Sequence, residues 1–255
     1  MYVHYRVPVA VTHKLPIIMV HGSGLTGMSW ETTPDGREGW ATYFTRHGFK
    51  VYVVDFPGRG RAGFNVTPIN QAKFTQDVSG QPSLSRTGLE SAWIAFRMGP
   101  SDFVPFPGVQ APEATATGLN EEIAEQFSAQ GVPNGESTLD PVSSVTVPAS
   151  IDALLDKIGP SILMVHSQAG TFADNAVAGR PGLVKMMIHV ESNCGALSAA
   201  AIAAYKQVPN VLYIHGDNVV GNPASTGQPR LTLCTAAQTA INAAGGRATL
   251  NRNRF

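Results

Sequence analysis

The sequence predicts a doubly wound α/β fold: a mostly parallel sheet, helices on both faces, and an irregular cap inserted over the strand ends. Three observations carry this. Short apolar runs alternate with helix-like segments along most of the 255 residues. The runs are rich in Val and Ile and lack clean polar alternation, as strands covered on both faces do. The rhythm breaks once, over a stretch between residues 60 and 148 that is rich in Pro, Gly, Ser and Thr.

The elements follow in order. "MYVHYRVPV" at the start alternates polar and apolar positions and reads as an antiparallel edge strand. "PIIMVH" (16–21) and "KVYVVD" (50–55) read as buried strands, with a helix between them in "GWATYFTRHG". Beyond the interruption, "SILMVH" (161–166), "LVKMMIHV" (183–190) and "NVLYIHG" (210–216) are three more buried strands. Helices are expected in "ASIDALLDKIG", "GTFADNAVAG", "ALSAAAIAAYKQ" and "TAAQTAINAAGG", several ending on the glycine that closes helices at their C-termini. The cap-like insertion covers about 64–148, is expected between a fourth and a fifth strand, and holds weak helices near 82–98 and 119–130. Trp93, Phe96, Phe103, Phe106 and Phe127 argue that it packs rather than forming a disordered linker.

Composition narrows the function classes. Hydrophobic residues make up 43% and charged residues 14%, ample for one core, and an α/β unit of this length is expected to be one domain over 1–255. Eighteen basic residues balance eighteen acidic ones, so no field draws the chain to nucleic acid or to an anionic membrane. No signal peptide or membrane span is read, which leaves a soluble protein of open compartment and open oligomeric state. Cys194 and Cys234 lack metal-ligand spacing and could pair or stay free.

Chemistry concentrates at "ILMVHSQAG". A strand running at once into small residues and a helix is the setting of a nucleophile elbow, where Ser167 would stand at the carboxyl end of the sheet. The usual glycines two before and two after are Val165 and Ala169 here, with Gly170 next. A serine that merely caps the following helix fits the same local pattern. "VHGSG" (20–24) closes an earlier strand in a glycine-rich turn, which would aim the Ser23 N–H at a developing oxyanion, with the Gln168 N–H as second donor. A plain strand-ending turn is the simpler reading of the same residues. "VVDFPGRGRAG" (53–63) supplies another tight turn, to which no chemistry is assigned. An acid could orient a base from either of two strand ends, Glu191 in "MMIHVES" or Asp217 in "YIHGDN".

The block "MVHGSGLTGMSWETTPDGREGWATYFTRHGFKVYVVDFPGRGRAG" (19–63), followed by "HSQAG" (166–170) and "VES" (190–192), resembles the α/β-hydrolase superfamily. Within it the chain is similar to a small branch of bacterial and fungal esterases, over most of its length and least in the insertion. The resemblance implies a serine hydrolase that cleaves a small-molecule carboxylic ester through an acyl-enzyme, with no metal and no organic cofactor. It implies Ser167 as nucleophile and Glu191, rather than Asp217, as acid; flanking residues in that branch also depart from Gly-x-Ser-x-Gly.

That branch carries its catalytic histidine after the last strand, beyond a segment matching "NAAGGRATL" (242–250). Here "NRNRF" follows, and none of the seven histidines (4, 13, 21, 47, 166, 189, 215) occupies that place. The expectation is a chain truncated or altered at its C-terminus, weakly active or inactive. A non-catalytic binding protein on the same fold is the rival reading. Strand alternation turns His166 away from Ser167, and His215 is the one arguable substitute for the base.

Overall fold

A computed structural model of the chain describes residues 1–33, 36–81, 93–101, 104–107, 143–220 and 226–252. Among these residues, seven strands form one sheet in the order β1-β3-β2-β4-β5-β6-β7. They are β1 (Tyr2–Arg6), β2 (Ile17–Val20), β3 (Val51–Asp55), β4 (Ser161–His166), β5 (Val184–Val190), β6 (Val211–His215) and β7 (Ala248–Arg252). β1 lies antiparallel to β3 at one edge, and every other pair is parallel. The insertion therefore follows the third strand in chain order rather than a fourth.

All four residues of β2 are buried, yet their side chains still alternate. Ile18 and Val20 enter the larger core with Val165, Ile151, Phe172 and Tyr213, whereas Ile17 and Met19 enter a smaller one with Trp30, Ala41 and Met164. A continuous apolar run is thus the signature of two covered faces. The smaller core lies under α1 (Met28–Glu31) and α2 (Trp40–Arg46). The larger one lies under α4 (Ser143–Ile158), α5 (Ala169–Gly179), α6 (Ala199–Tyr205) and α7 (Gly227–Ala243), while α3 (Thr67–Thr75) opens the insertion.

Two helices begin earlier than their apolar pattern indicates. α4 starts at Ser143 and carries Pro148 inside it, and α7 starts at Gly227. In α7, Pro229 falls in the first turn, where a missing N–H leaves no intrahelical bond unmade. β7 escapes an apolar-run search because only Ala248 of its five residues is buried. Of the expected helix near 82–98, the described part is helical at 93–95 and ends where Arg97 adopts φ 61. Trp93 is fully buried, Phe106 half-buried and Phe96 exposed. Phe103, Phe127 and the expected helix at 119–130 lie outside the described residues. Cys194, after β5, is disulfide-bonded to Cys234 of α7.

Candidate active site

β4 ends at His166, and Ser167 turns the chain with φ 52 before α5 begins at Ala169. A non-glycine residue in the left-handed region costs about 1–2 kcal/mol, so the surroundings must hold it there. They do so from both sides. The Ser167 N–H donates to Val190 O (3.3 Å), and its carbonyl accepts from Gly170 N (3.0 Å) and Asn193 N (2.8 Å). Val165 points into the larger core and does not crowd the turn, so a glycine is not needed there. The tight spot is Gly170, where a Cβ would stand 2.9 Å from Ser192 Cβ and press on the Asn193 carbonyl.

The turn after β2 packs directly on Ser167. A Cβ at Gly22 would lie 2.8 Å from Ser167 Cβ and 2.8 Å from His166 Nδ1, so residue 22 must be glycine for the two strand ends to meet. Gly24, at φ 68, supplies the left-handed position of a turn closed by Leu25 N to Gly22 O (3.3 Å). Ser23 is exposed at its tip, and Gln168 directly precedes α5. The turn after β3, assigned no chemistry from sequence, braces this region. Asp55, fully buried, accepts from Gly27 N (2.6 Å), Arg61 N (2.8 Å) and Arg61 Nε (2.8 Å). Burial would raise the Asp55 carboxyl, but these donors outweigh it and hold the group below its ordinary value.

Glu191 follows β5 as Ser167 follows β4, one residue past the register pair His166↔Val190, and has φ 47. Its Oε1 accepts from Arg97 Nη2 (2.5 Å) and Gly216 N (2.5 Å), and its Oε2 lies 3.5 Å from His215 Nδ1. Burial pushes this carboxyl up, but His215, the Arg97 guanidinium and the Gly216 N–H together bring it down to about 2. It is therefore ionised at neutral pH. Asp217 is exposed one strand further from Ser167, and its backbone carbonyl accepts from Arg97 Nε (3.0 Å).

Six of the seven histidines are engaged elsewhere. His21 uses both ring nitrogens: Nδ1–H donates to Gly22 O (2.9 Å) and Nε2 accepts from Phe56 N (3.2 Å), a neutral tautomer that burial holds at a pKa of about 3. His166 stands on the opposite face from Val165, edge-on to Trp30 at 6.3 Å, and burial, then the Arg230 charge, lowers it to about 4. His189 stacks on Tyr213 and is lowered to about 3 by burial. His4, His13 and His47 contact Glu31, Phe49 and Tyr43. His215 is buried, with neither ring nitrogen hydrogen-bonded among the described residues. Strand order sets it apart from Ser167. β4, β5 and β6 are consecutive, so His215 stands two strands from Ser167, roughly 9–10 Å across the sheet, with the strand of Glu191 between them. An imidazole that relays a proton lies between hydroxyl and carboxylate, and His215 belongs to the strand beyond that of Glu191.

Sequence reasoning missed Arg59, Arg61 and Arg97. The first two had a signal, two arginines in "GRGRAG" directly after a strand; Arg97 had none. Among the described residues no group of His, Cys, Asp and Glu is arranged to hold a metal ion, and no helix is long and apolar enough to cross a membrane.

Comparison with known proteins places this geometry in context. A bacterial esterase solved at atomic resolution superposes with a TM-score of 0.81 at 33% identity, over 98% of this chain and 74% of the esterase. A probable secreted lipase, phiG, from a fungal species is 33% identical over 196 residues, 74% of this chain and 48% of the lipase. The chain thus spans about half the length of that curated relative. A carboxylesterase of the thaumarchaeon Nitrososphaera gargenis shares the fold at a TM-score of 0.54 and 9% identity, covering 99% of this chain and 85% of its own. No family model matches the chain.

Proposed function

The chain belongs to the α/β-hydrolase esterases, and from that premise we propose that it is a serine hydrolase of small-molecule carboxylic esters working through an acyl-enzyme. The observation that carries the proposal is the meeting of three strand ends: Ser167 in a left-handed turn, the Gly22 turn against its Cβ, and ionised Glu191 on the next strand. Ser167 Oγ attacks the ester carbonyl, and the carbonyl electron pair moves onto oxygen, where the N–H groups of Ser23 and Gln168 receive it. The hydroxyl proton passes to water, collapse breaks the ester C–O bond, and the departing alkoxide takes a proton from water to leave as the alcohol. A further water then adds to the acyl-serine, releasing the acid and restoring the hydroxyl. Glu191 stands at the strand end from which a carboxylate orients an imidazole and stabilises its charged form. None of these steps calls on a metal or an organic cofactor.

The insertion over about 64–148 is read as a cap on one hydrolase domain. Thr226 supports this, since its N–H and hydroxyl both donate to Ala95 O (3.1 Å each) and tie residues 93–97 above the ends of β5 and β6. The disulfide and the secreted relative favour an oxidising, extracellular setting. One contact favours the rival reading, a binding protein that keeps the pocket without turnover: the Arg97 guanidinium already pairs with the Glu191 carboxylate through Oε1.

The deciding experiment is hydrolysis of p-nitrophenyl acetate by the 255-residue chain and by Ser167→Ala. Turnover should be slow, about 10⁴ to 10⁶ below a relative with an imidazole on its serine, and should vanish in Ser167→Ala. Equal rates in the two proteins would leave the binding protein standing. A rate matching that relative would mean that a histidine already present is the base, and His215→Ala would be the first variant to examine.

A further inference from the structure

The turn of residues 22–25 is held from behind by a buried cation. Arg59 is 2% exposed, and its Nη1 donates to Gly22 O at 2.8 Å and to Leu25 O at 3.4 Å, with Cζ 5.7 Å from the Phe56 ring centroid. The same Gly22 carbonyl also accepts from His21 Nδ1 and Leu25 N. Three donors on one carbonyl fix the orientation of a single peptide unit. Its other end is the Ser23 N–H. In a planar trans peptide the C=O and the N–H point in opposite directions. Holding the Gly22 carbonyl inward therefore turns the Ser23 N–H outward, on the side where Ser23 is exposed.

We propose that Arg59 is a positioning residue for the ester hydrolysis inferred above: its guanidinium holds the Gly22 carbonyl and so aims the Ser23 N–H at the oxyanion formed when Ser167 attacks. The role rests on that reading of the site. A neutral donor could satisfy the carbonyl, but a cation does more. Its charge shortens and strengthens the bond and polarises the peptide, which makes the Ser23 N–H a stronger donor. Burial lowers the Arg59 guanidinium to about 10, so it remains charged at neutral pH. His21 completes the brace, because its Nε2 accepts from Phe56 N and so couples this turn to the one that carries Arg59.

The test measures the oxyanion and not turnover. An aryl trifluoromethyl ketone adds to a serine hydroxyl: the Oγ–C bond forms, the carbonyl pair becomes an oxyanion, and the hydroxyl proton goes to solvent. Fluorine NMR titration of this ketone would be run on the chain, Ser167→Ala, Arg59→Met and Arg59→Gln, beside the non-fluorinated methyl ketone and thermal melting of each protein. The expected result is an adduct in the parent and none in Ser167→Ala. Arg59→Met should weaken the adduct by about tenfold or more, with methyl-ketone affinity unchanged, and Arg59→Gln, which keeps one donor, should fall between. A folded Arg59→Met with parental adduct affinity would overturn the positioning role alone. If Arg59→Met does not fold, Arg59→Gln decides by the same comparison. Absence of any Ser167-dependent adduct in the parent would instead overturn the hydrolase reading, and the role of Arg59 with it.

Discussion

Ser167 and Glu191 leave neighbouring parallel strands in the same left-handed conformation, φ 52 and φ 47, one residue beyond the pair His166↔Val190. The Ser167 N–H bonds back to Val190 O, so the two turns are coupled through the residue that precedes the acid. Two strained residues side by side at one sheet edge are held by the fold around them, a pattern that clusters where function needs fixed geometry.

Replacing Ser167 by glycine should stabilise the protein. Relief of the left-handed strain is worth about 1–2 kcal/mol, and the added freedom of glycine in the unfolded chain takes back roughly 0.5–1. The net gain, up to about 1.5 kcal/mol, should raise the melting temperature by up to about 3–6 °C. Calorimetry checks this, and a fall in melting temperature would mean that the serine side chain contributes contacts worth more than the strain.

Removing Arg97 should free Glu191 from its lowest state. Because the carboxyl titrates near 2 in the folded protein, below its ordinary value of 4.5, its contribution to stability is present above about pH 4.5 and is lost as pH falls through 2. Arg97→Met should cost about 1.5–3 kcal/mol at pH 7, the usual worth of a hydrogen bond to a charged group. The difference from the parent should shrink between pH 5 and pH 2. Superimposable urea curves at pH 7 would show that Gly216 and His215 hold the carboxylate without the guanidinium.

Asp174 should act in the opposite sense. Burial raises its carboxyl to about 7, although the Tyr205 hydroxyl donates to it at 2.5 Å. A carboxyl raised in the folded state favours folding below the unfolded value near 3.8, and that contribution is lost as pH rises to 7. Asp174→Asn keeps an acceptor for Tyr205 and removes the buried charge. The variant should be more stable than the parent at pH 8, and its stability should fall less between pH 4 and pH 7. An unchanged slope in denaturant titrations across that range would place the titration elsewhere.

Reducing the Cys194–Cys234 bond should loosen α7 from the segment after β5. The bond closes a separation of 40 residues, for which chain entropy gives about 4 kcal/mol. Thermal melting with and without dithiothreitol, together with the double serine variant, should show a drop of roughly 8–16 °C. Less than about 2 °C would mean that packing of Leu231, Ala237 and Ile241 holds the helix without the bond.

The sequence by itself determined the sheet, five buried strands and the edge strand, and the serine at the end of "SILMVH", because each rests on local order. A run of apolar residues bounded by small ones specifies a covered strand, and the residue that ends it has nowhere to go but the carboxyl edge. The family blocks rest on the same local order, since they lie in the turns where the chain has least freedom. The tertiary structure decided the rest: that Arg97 reaches Glu191 across 94 residues, that Arg59 grips Gly22 across 37, and that His215 of the next strand lies 3.5 Å from the acid. It also decided that the two cysteines pair, and that a weakly apolar segment becomes the seventh strand. These contacts join side chains from separate elements, and whether two such groups meet depends on strand order, register and the direction in which each chain end turns. None of those quantities is a property of the residues near either partner. Burial then makes each meeting consequential, since a charge or carbonyl removed from water must find its partner wherever the fold has placed one.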